Sequence, residues 1–339
     1  MAGKAATSPT RLYARRAGAW LAPAVLFGVF SAFACVAIAQ GTARATAATP
    51  PAATTVAPTN NIHANLNISP KRVTFDHLGR TATVYVFNQG TGPATFDIQL
   101  VDRIMLPDGQ IVAVDEAASK PDLKPYLDKL LSAKAMVVTA PRRATLAPGK
   151  GQTIRIRAEA PVAGAAGNPP QPGEYRTHLT VTTIPPRDIG LTAEQAAIGN
   201  PRELRFQINS VFGISIPLII RVGPPDVRGS IEKVSITTEN LSPDGASPPR
   251  PISVLKFEIV RSGTSSLFGN IEVRGAKEKG SKDPLGLARG VGVYTEIDHR
   301  QMQIPLKRTP APGEQLEISF KDDDTAPGRV VATTTFKTP

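Results

Sequence analysis

The stretch ISPKRVTFDHLGRTATVYVFNQG, residues 68–90, decides how the rest of the chain reads. Apolar and polar residues alternate in VTF (73–75) and again in ATVYVF (82–87), the period of a half-buried β-strand. Asn88-Gln89-Gly90 then supplies turn chemistry. One residue stands out: Arg72 lies directly before a strand that should face a core. Two explanations are open, an arginine facing solvent from an edge strand and an arginine aimed into a cleft.

The same signature recurs on the C-terminal side, in ATFDIQLV (94–101), MVVT (136–139), GQTIRIRA (151–158) and EYRTHLTVTT (174–183). Six or seven short strands separated by Pro/Gly turns predict an immunoglobulin-like β-sandwich. DLKPYLDKLLSA (122–133) interrupts them with helical spacing, which would put Leu123, Leu127, Leu130 and Leu131 on one face against the sandwich. Residues 191–199 read as a polar connection. LRFQINSVFGISIPLIIR (204–221) then carries apolar residues at Leu204, Phe206, Ile208, Phe212, Ile214 and Ile216. As one strand it would far exceed the usual length of about five or six residues. VGPPDVRG (222–229) reads as a short linker stiffened by two prolines. Seven more strand candidates follow, at 231–237, 252–260, 268–273, 292–296, 302–306, 315–320 and 329–336. The expected fold is all-β, with immunoglobulin-like sandwiches over 62–222 and 230–339 joined by a linker at 223–229.

Composition agrees with this reading. Of 339 residues, 32 are Pro and 28 Gly, a mixture suited to many short strands and turns. Residues 1–39 look like a signal segment: a basic start (Lys4, Arg11, Arg15, Arg16) leads into an apolar run over 20–39 that ends Ala37-Ile38-Ala39. Cleavage after Ala39 is the expectation; an uncleaved segment, the other reading, would be the chain's only membrane contact. The single cysteine, Cys35, lies inside this run, so the mature chain would have no disulfide. Residues 40–61, an Ala/Thr/Pro tract, read as a flexible leader that cannot bury enough surface to order itself. Four of the eleven net positive charges leave with the signal segment. The rest are scattered and poorly supplied with aromatics, which argues against nucleic acid as a partner.

No constellation of catalytic residues emerges. His63, His77, His178 and His299 have no zinc-site spacing, with His178 read as a partly buried or surface residue. No nucleophile elbow, phosphate loop or dinucleotide fingerprint is present. Asp322-Asp323-Asp324 lacks the spacing of a calcium loop and reads as a solvated hairpin turn. The expectation is a binding module: no enzyme, no cofactor, no metal and no small-molecule substrate.

Four segments in order resemble the first domain of PapD-like periplasmic chaperones, which assemble pili by the chaperone–usher route. They are KRVTF with TVYVFNQG (71–75, 83–90), TAPRRATLAPGKGQTIRIR (139–157), PGEYRTHLTVTTIPP (172–186) and FGISIPLIIR (212–221). The resemblance implies a periplasmic chaperone that binds pilus or fimbrial subunits by donating a strand and delivers them to an outer-membrane usher. It places the donor run at Phe206, Ile208, Phe212 and Ile214; a buried core strand would produce the same pattern. It also implies a basic pair in the cleft for the subunit's C-terminal carboxylate. Arg72 matches the first member of that pair. Pro217 stands at or beside the place of the second, a lysine, so Arg176 and Arg221 are possible helpers. The alternative function is an exported structural or adhesive subunit. Such a subunit should carry an N-terminal donor extension of alternating apolar residues, and 40–61 has none.

Overall fold

The computed structural model describes residues 65–160, 170–185, 211–242, 245–278 and 280–339. All of them belong to one compact unit, Thr59–Pro339. The signal segment with Ala39, the leader, His63, the connection at 191–199, and Phe206 and Ile208 lie outside the described residues.

In chain order the first sandwich is built from β1 (Leu66–Ser69), β2 (Val73–Phe75), β3 (Thr81–Asn88), β4 (Ala94–Val101), β5 (Arg103–Met105), β6 (Ile111–Ala113), β7 (Val137–Ala140), β8 (Arg143–Leu146), β9 (Gly151–Ala158), β10 (Gly173–Ile184) and β11 (Gly213–Val222). One sheet runs β1-β3-β9-β7, the facing one β2-β11-β10-β4-β8, and β5-β6 forms a separate hairpin. Between the two sheets lie Val84, Val86, Phe96, Ile98, Ile154, Ile156, Leu179 and Val181, with Leu218 and Ile220. Each such side chain contributes about 1.5–3 kcal/mol by leaving water. With no cysteine among the described residues, this burial and strand pairing hold the sandwich together.

Two consecutive strands, β1 and β2, lie in opposite sheets. β1 pairs antiparallel with β3, and after Pro70 the chain crosses over so that β2 runs parallel to the end of β11. That pairing is short, matching Val73, Thr74 and Phe75 with Leu218, Ile219 and Ile220. Along 213–217, β11 is therefore paired with β10 on one side only, and no strand covers its other edge among the described residues.

The second sandwich contains β12 (Gly229–Leu241), β13 (Arg250–Arg261), β14 (Leu267–Arg274), β15 (Gly286–Val293), β16 (His299–Pro305), β17 (Gln315–Asp322) and β18 (Val330–Lys337). Its sheets run β12-β13-β16 and β15-β14-β17-β18. The strand expected at 292–296 lies earlier, as β15. Its three glycines and Arg289 mask the apolar period, and Gly286 is packed so closely that a Cβ there would come within 3.0 Å of Ile304 and Leu306.

The helix expected at 122–133 does not form as one element. A 3-10 turn (Pro121–Leu123) is followed by the single-turn α2 (Lys124–Leu127), after the equally short α1 (Val114–Ala117). Leu123 is buried, and Leu127 and Leu130 pack partly, in a small core of their own with Ile104, Val112 and Ala117. Leu131 faces outward. Residues 102–136 are thus an insertion between β4 and β7 rather than a helix laid on the sandwich.

That insertion straps the two sandwiches together. Met105 enters the second core and Tyr126 packs against it. The Gln301 N–H donates to the Pro107 carbonyl at 2.7 Å, and Lys129 pairs with Asp298 at 2.8 Å. Gly109, at φ +88°, lets the guanidinium of Arg300 lie where a Cβ would be 2.6 Å from Nη2. On the other side the Arg176 N–H donates to the Leu131 carbonyl, and the Ala133 N–H to the Arg176 carbonyl.

The linker is docked as well as stiff. Val227 is buried in the second core, and Asp226 exchanges hydrogen bonds with Ser265 through backbone and hydroxyl. Gly263 touches this segment so closely that a Cβ would lie 2.1 Å from the Asp226 carbonyl oxygen. Gly263→Ala is expected to cost about 1–3 kcal/mol by prising the linker from the turn after β13, read as a lowered urea midpoint.

Candidate functional site: the cleft between the sandwiches

β11 carries the chain from one core to the next. Leu218 and Ile220 face the first core, while Ile219, on the opposite face, joins the second. The alternation of a strand thereby places Arg221 at the junction, beside Glu174 of β10, its register partner.

Arg221 Nε donates to Glu174 Oε2 at 3.1 Å, and its Nη2 to Asp324 Oδ2 at 2.6 Å. Arg72 Nη2 donates to the same Asp324 oxygen at 2.8 Å. Both sequence explanations for Arg72 meet a test here. Its side chain is only 10% exposed, so the surface reading is overturned. The arginine points into the junction of the two sandwiches, its guanidinium carbon 4.4 Å from the centre of the Phe268 ring and 6.0 Å from that of Tyr294. Among the described residues Arg72 Nε and Nη1 are buried without a hydrogen-bond partner, as is Glu174 Oε1.

Asp324 lies in the turn between β17 and β18, so the expectation of a hairpin turn holds but not that of solvation. The Asp322 carboxylate is buried and caps this turn, accepting from the Thr325 hydroxyl and from the backbone N–H groups of Asp324 and Ala326. Burial pushes the Asp324 carboxyl up, but Arg72 and Arg221 outweigh it and hold the group below the usual carboxylate range. Burial likewise opposes the charge on Arg221, and Glu174 and Asp324 more than compensate, raising its pKa.

Arg176 lies deeper. Its Nη1 donates to Glu296 Oε2 at 3.0 Å, Nη2 pairs with Glu296 Oε1 and reaches the Arg103 carbonyl at 2.8 Å, and its guanidinium lies 3.9 Å from the Tyr294 ring centre. Burial raises the Glu296 carboxyl despite the opposing pull of Arg176. His178 next to it is buried rather than partly exposed, and burial, then Arg176 and Arg103, press its pKa down to about 2, leaving it neutral. Arg176 therefore joins the two sandwiches through a two-contact ion pair with Glu296, its Nε alone left without a hydrogen-bond partner among the described residues, whereas Arg72 and Arg221 meet at Asp324.

Of the donor-run residues within the described chain, Phe212 is 46% exposed just before β11, with Val211 beside it at 58%. Ile214 is half-buried and packs against the first core. Pro217, in the middle of β11, is the register partner of His178. The sequence reading missed Glu174, Glu296 and Asp324 as partners of these arginines. Each lies 47 to 252 residues from its arginine, and charge spacing carries no signal at that range.

The described residues thus define an all-β protein of two sandwiches with a buried arginine–carboxylate cluster between them and a one-sided strand edge beside it. No family model matches the sequence, and no curated protein matches it. Among solved structures the chain is similar to the E. coli chaperone DraB, at 14% identity and TM-score 0.37 over 81% of this chain and 96% of that one. It is also similar to a chain of the complex of the Salmonella enterica SafA pilin with the SafB chaperone, at 12% identity and TM-score 0.37 over 80% and 96%. A third likeness is to a chain of the CsuC–CsuE chaperone–tip adhesion subunit complex of Acinetobacter baumannii, at 13% identity and TM-score 0.35 over 81% and 98%.

Proposed function

We propose that this chain is a periplasmic, non-enzymatic chaperone that holds pilus or fimbrial subunits by strand donation and passes them to an outer-membrane usher. The observation that carries the reading is the edge of β11. Among the described residues its backbone along 213–217 is paired on one side only, with exposed Val211 and Phe212 leading into it and Ile214 half-buried. An uncovered apolar edge is an aggregation hazard unless a partner strand uses it, and strand addition is how such an edge recognises a partner. Main-chain bonds supply affinity, and alternate side chains supply fit.

The cleft supplies the second contact. Arg72 lies just before the strand that covers the end of β11, close to where a strand paired along 213–217 would finish. A chain terminus there would bring a carboxylate to Arg72, whose Nε and Nη1 have no partner among the described residues. Charge-assisted bonds of this kind are about twice as strong as neutral ones.

Co-expression with the pilus-type subunit encoded beside this gene is expected to yield a stable one-to-one complex on size exclusion. A subunit that is soluble and monomeric without this chain, with no complex formed, defeats the reading. Arg72→Ala is expected to lower recovery of that complex by about tenfold without changing the far-UV spectrum of the free chain. An unchanged yield would remove Arg72 from the contact.

A further inference from the structure

Arg72 and Arg221 share one oxygen of Asp324, but their situations differ. Arg221 has a second carboxylate, Glu174, on its Nε side. Arg72 has no other: its remaining contacts are aromatic faces, and Nε and Nη1 are buried without a hydrogen-bond partner among the described residues. An arginine this enclosed needs a counter-charge, and Asp324 reaches it from the second sandwich.

We propose that Asp324 is an internal stand-in for the partner's carboxylate, a latch that occupies Arg72 until an incoming C-terminal carboxylate displaces it. This rests on Arg72 being the carboxylate anchor. Two carboxylates crowded onto one guanidinium repel each other, so a partner's terminus and Asp324 compete for it. Release is local. The turn around Asp324 is held by the Asp322 carboxylate, independently of where the Asp324 side chain points. Asp324 itself is 13% exposed, and turning its side chain outward would take it from Arg221 as well, which keeps Glu174. The sandwiches stay together without it through Arg176–Glu296, the Ser266 N–H donating to Glu174, the docked linker and the insertion at 102–136. The latch thus discriminates at the anchor without opening the molecule. A neutral or amidated chain end has no charge with which to displace it.

The test uses the full chain and an N-acetylated ten-residue peptide of alternating valine and serine, made as the free acid and as the C-terminal amide, with binding followed by NMR titration. Wild-type protein is expected to prefer the acid. Asp324→Asn is expected to bind the acid about tenfold more tightly than wild type and the amide equally. If wild type prefers the acid but Asp324→Asn gains nothing, the latch is wrong and the anchor stands. If neither protein distinguishes acid from amide, the anchor is wrong and the latch goes with it. Should Asp324→Asn fail to fold, the carbon signal of the Asp324 carboxylate in wild type decides. It is expected to shift on saturation with the acid and stay in place with the amide; no shift with the acid overturns the proposal.

Discussion

Replacing Glu296 by alanine is expected to destabilise the chain by about 3–5 kcal/mol, the range for stranding one member of a buried ion pair. Glu296 and Arg176 are fully buried, and each takes two contacts from the other. Removing the carboxylate leaves the guanidinium with the Arg103 carbonyl and the Tyr294 ring as its remaining side-chain contacts. Those compensate only part of the cost of a buried charge. Arg176→Met combined with Glu296→Leu should recover most of the loss, because an apolar pair of similar volume avoids desolvating charges altogether. Urea unfolding of the three proteins measures this directly. A drop below about 1 kcal/mol for Glu296→Ala would mean that the pair is not closed to water as drawn.

The second large effect is on partner binding. Val211→Asp together with Phe212→Asp is expected to weaken subunit capture at least tenfold while leaving the unfolding midpoint unchanged. Both side chains are exposed, so the free protein loses little by their replacement. In a complex they would be covered by a partner strand, and burying a side chain such as Phe212 contributes about 1.5–3 kcal/mol. Carboxylates there would also have to be desolvated. Undiminished capture, assayed by pull-down of the co-expressed subunit, would move the docking edge away from the start of β11.

Much of this architecture was legible in the residues because a period of two survives wherever one sheet face is buried. The strands at 94–101 and 151–158 fall where the alternation puts them, down to their end residues. The reading fails where local pattern and tertiary setting part company. Residues 122–133 have a leucine period that suits a helix, yet Pro125 separates the 3-10 turn from the single turn that follows, and Leu123, Leu127 and Leu130 serve a separate small core. Arg72 was legible as an anomaly but not as one end of an ion pair, since Asp324 lies 252 residues away. The carboxylate triplet looked like a wet turn for the same reason: Asp323 is exposed, but nothing local says that Asp322 is buried or that two arginines cover Asp324.

The strap at 102–136 also bears on the order in which the molecule can mature. It belongs by sequence to the first sandwich, yet Met105 joins the core of the second, Tyr126 packs against that core as well as its own, and Gln301 and Asp298 complete its polar contacts. A chain made from its N-terminus has every strand of the first sandwich before any strand of the second. Through that interval Met105 and Ile219 have no core to enter, and Tyr126 has only the small core of the insertion. The first sandwich is therefore born with a temporary apolar scar at the position where its own C-terminal half will dock. The turn at Asp324 is among the last segments to emerge, so Arg72 and Arg221 acquire their shared carboxylate only when the chain is nearly complete.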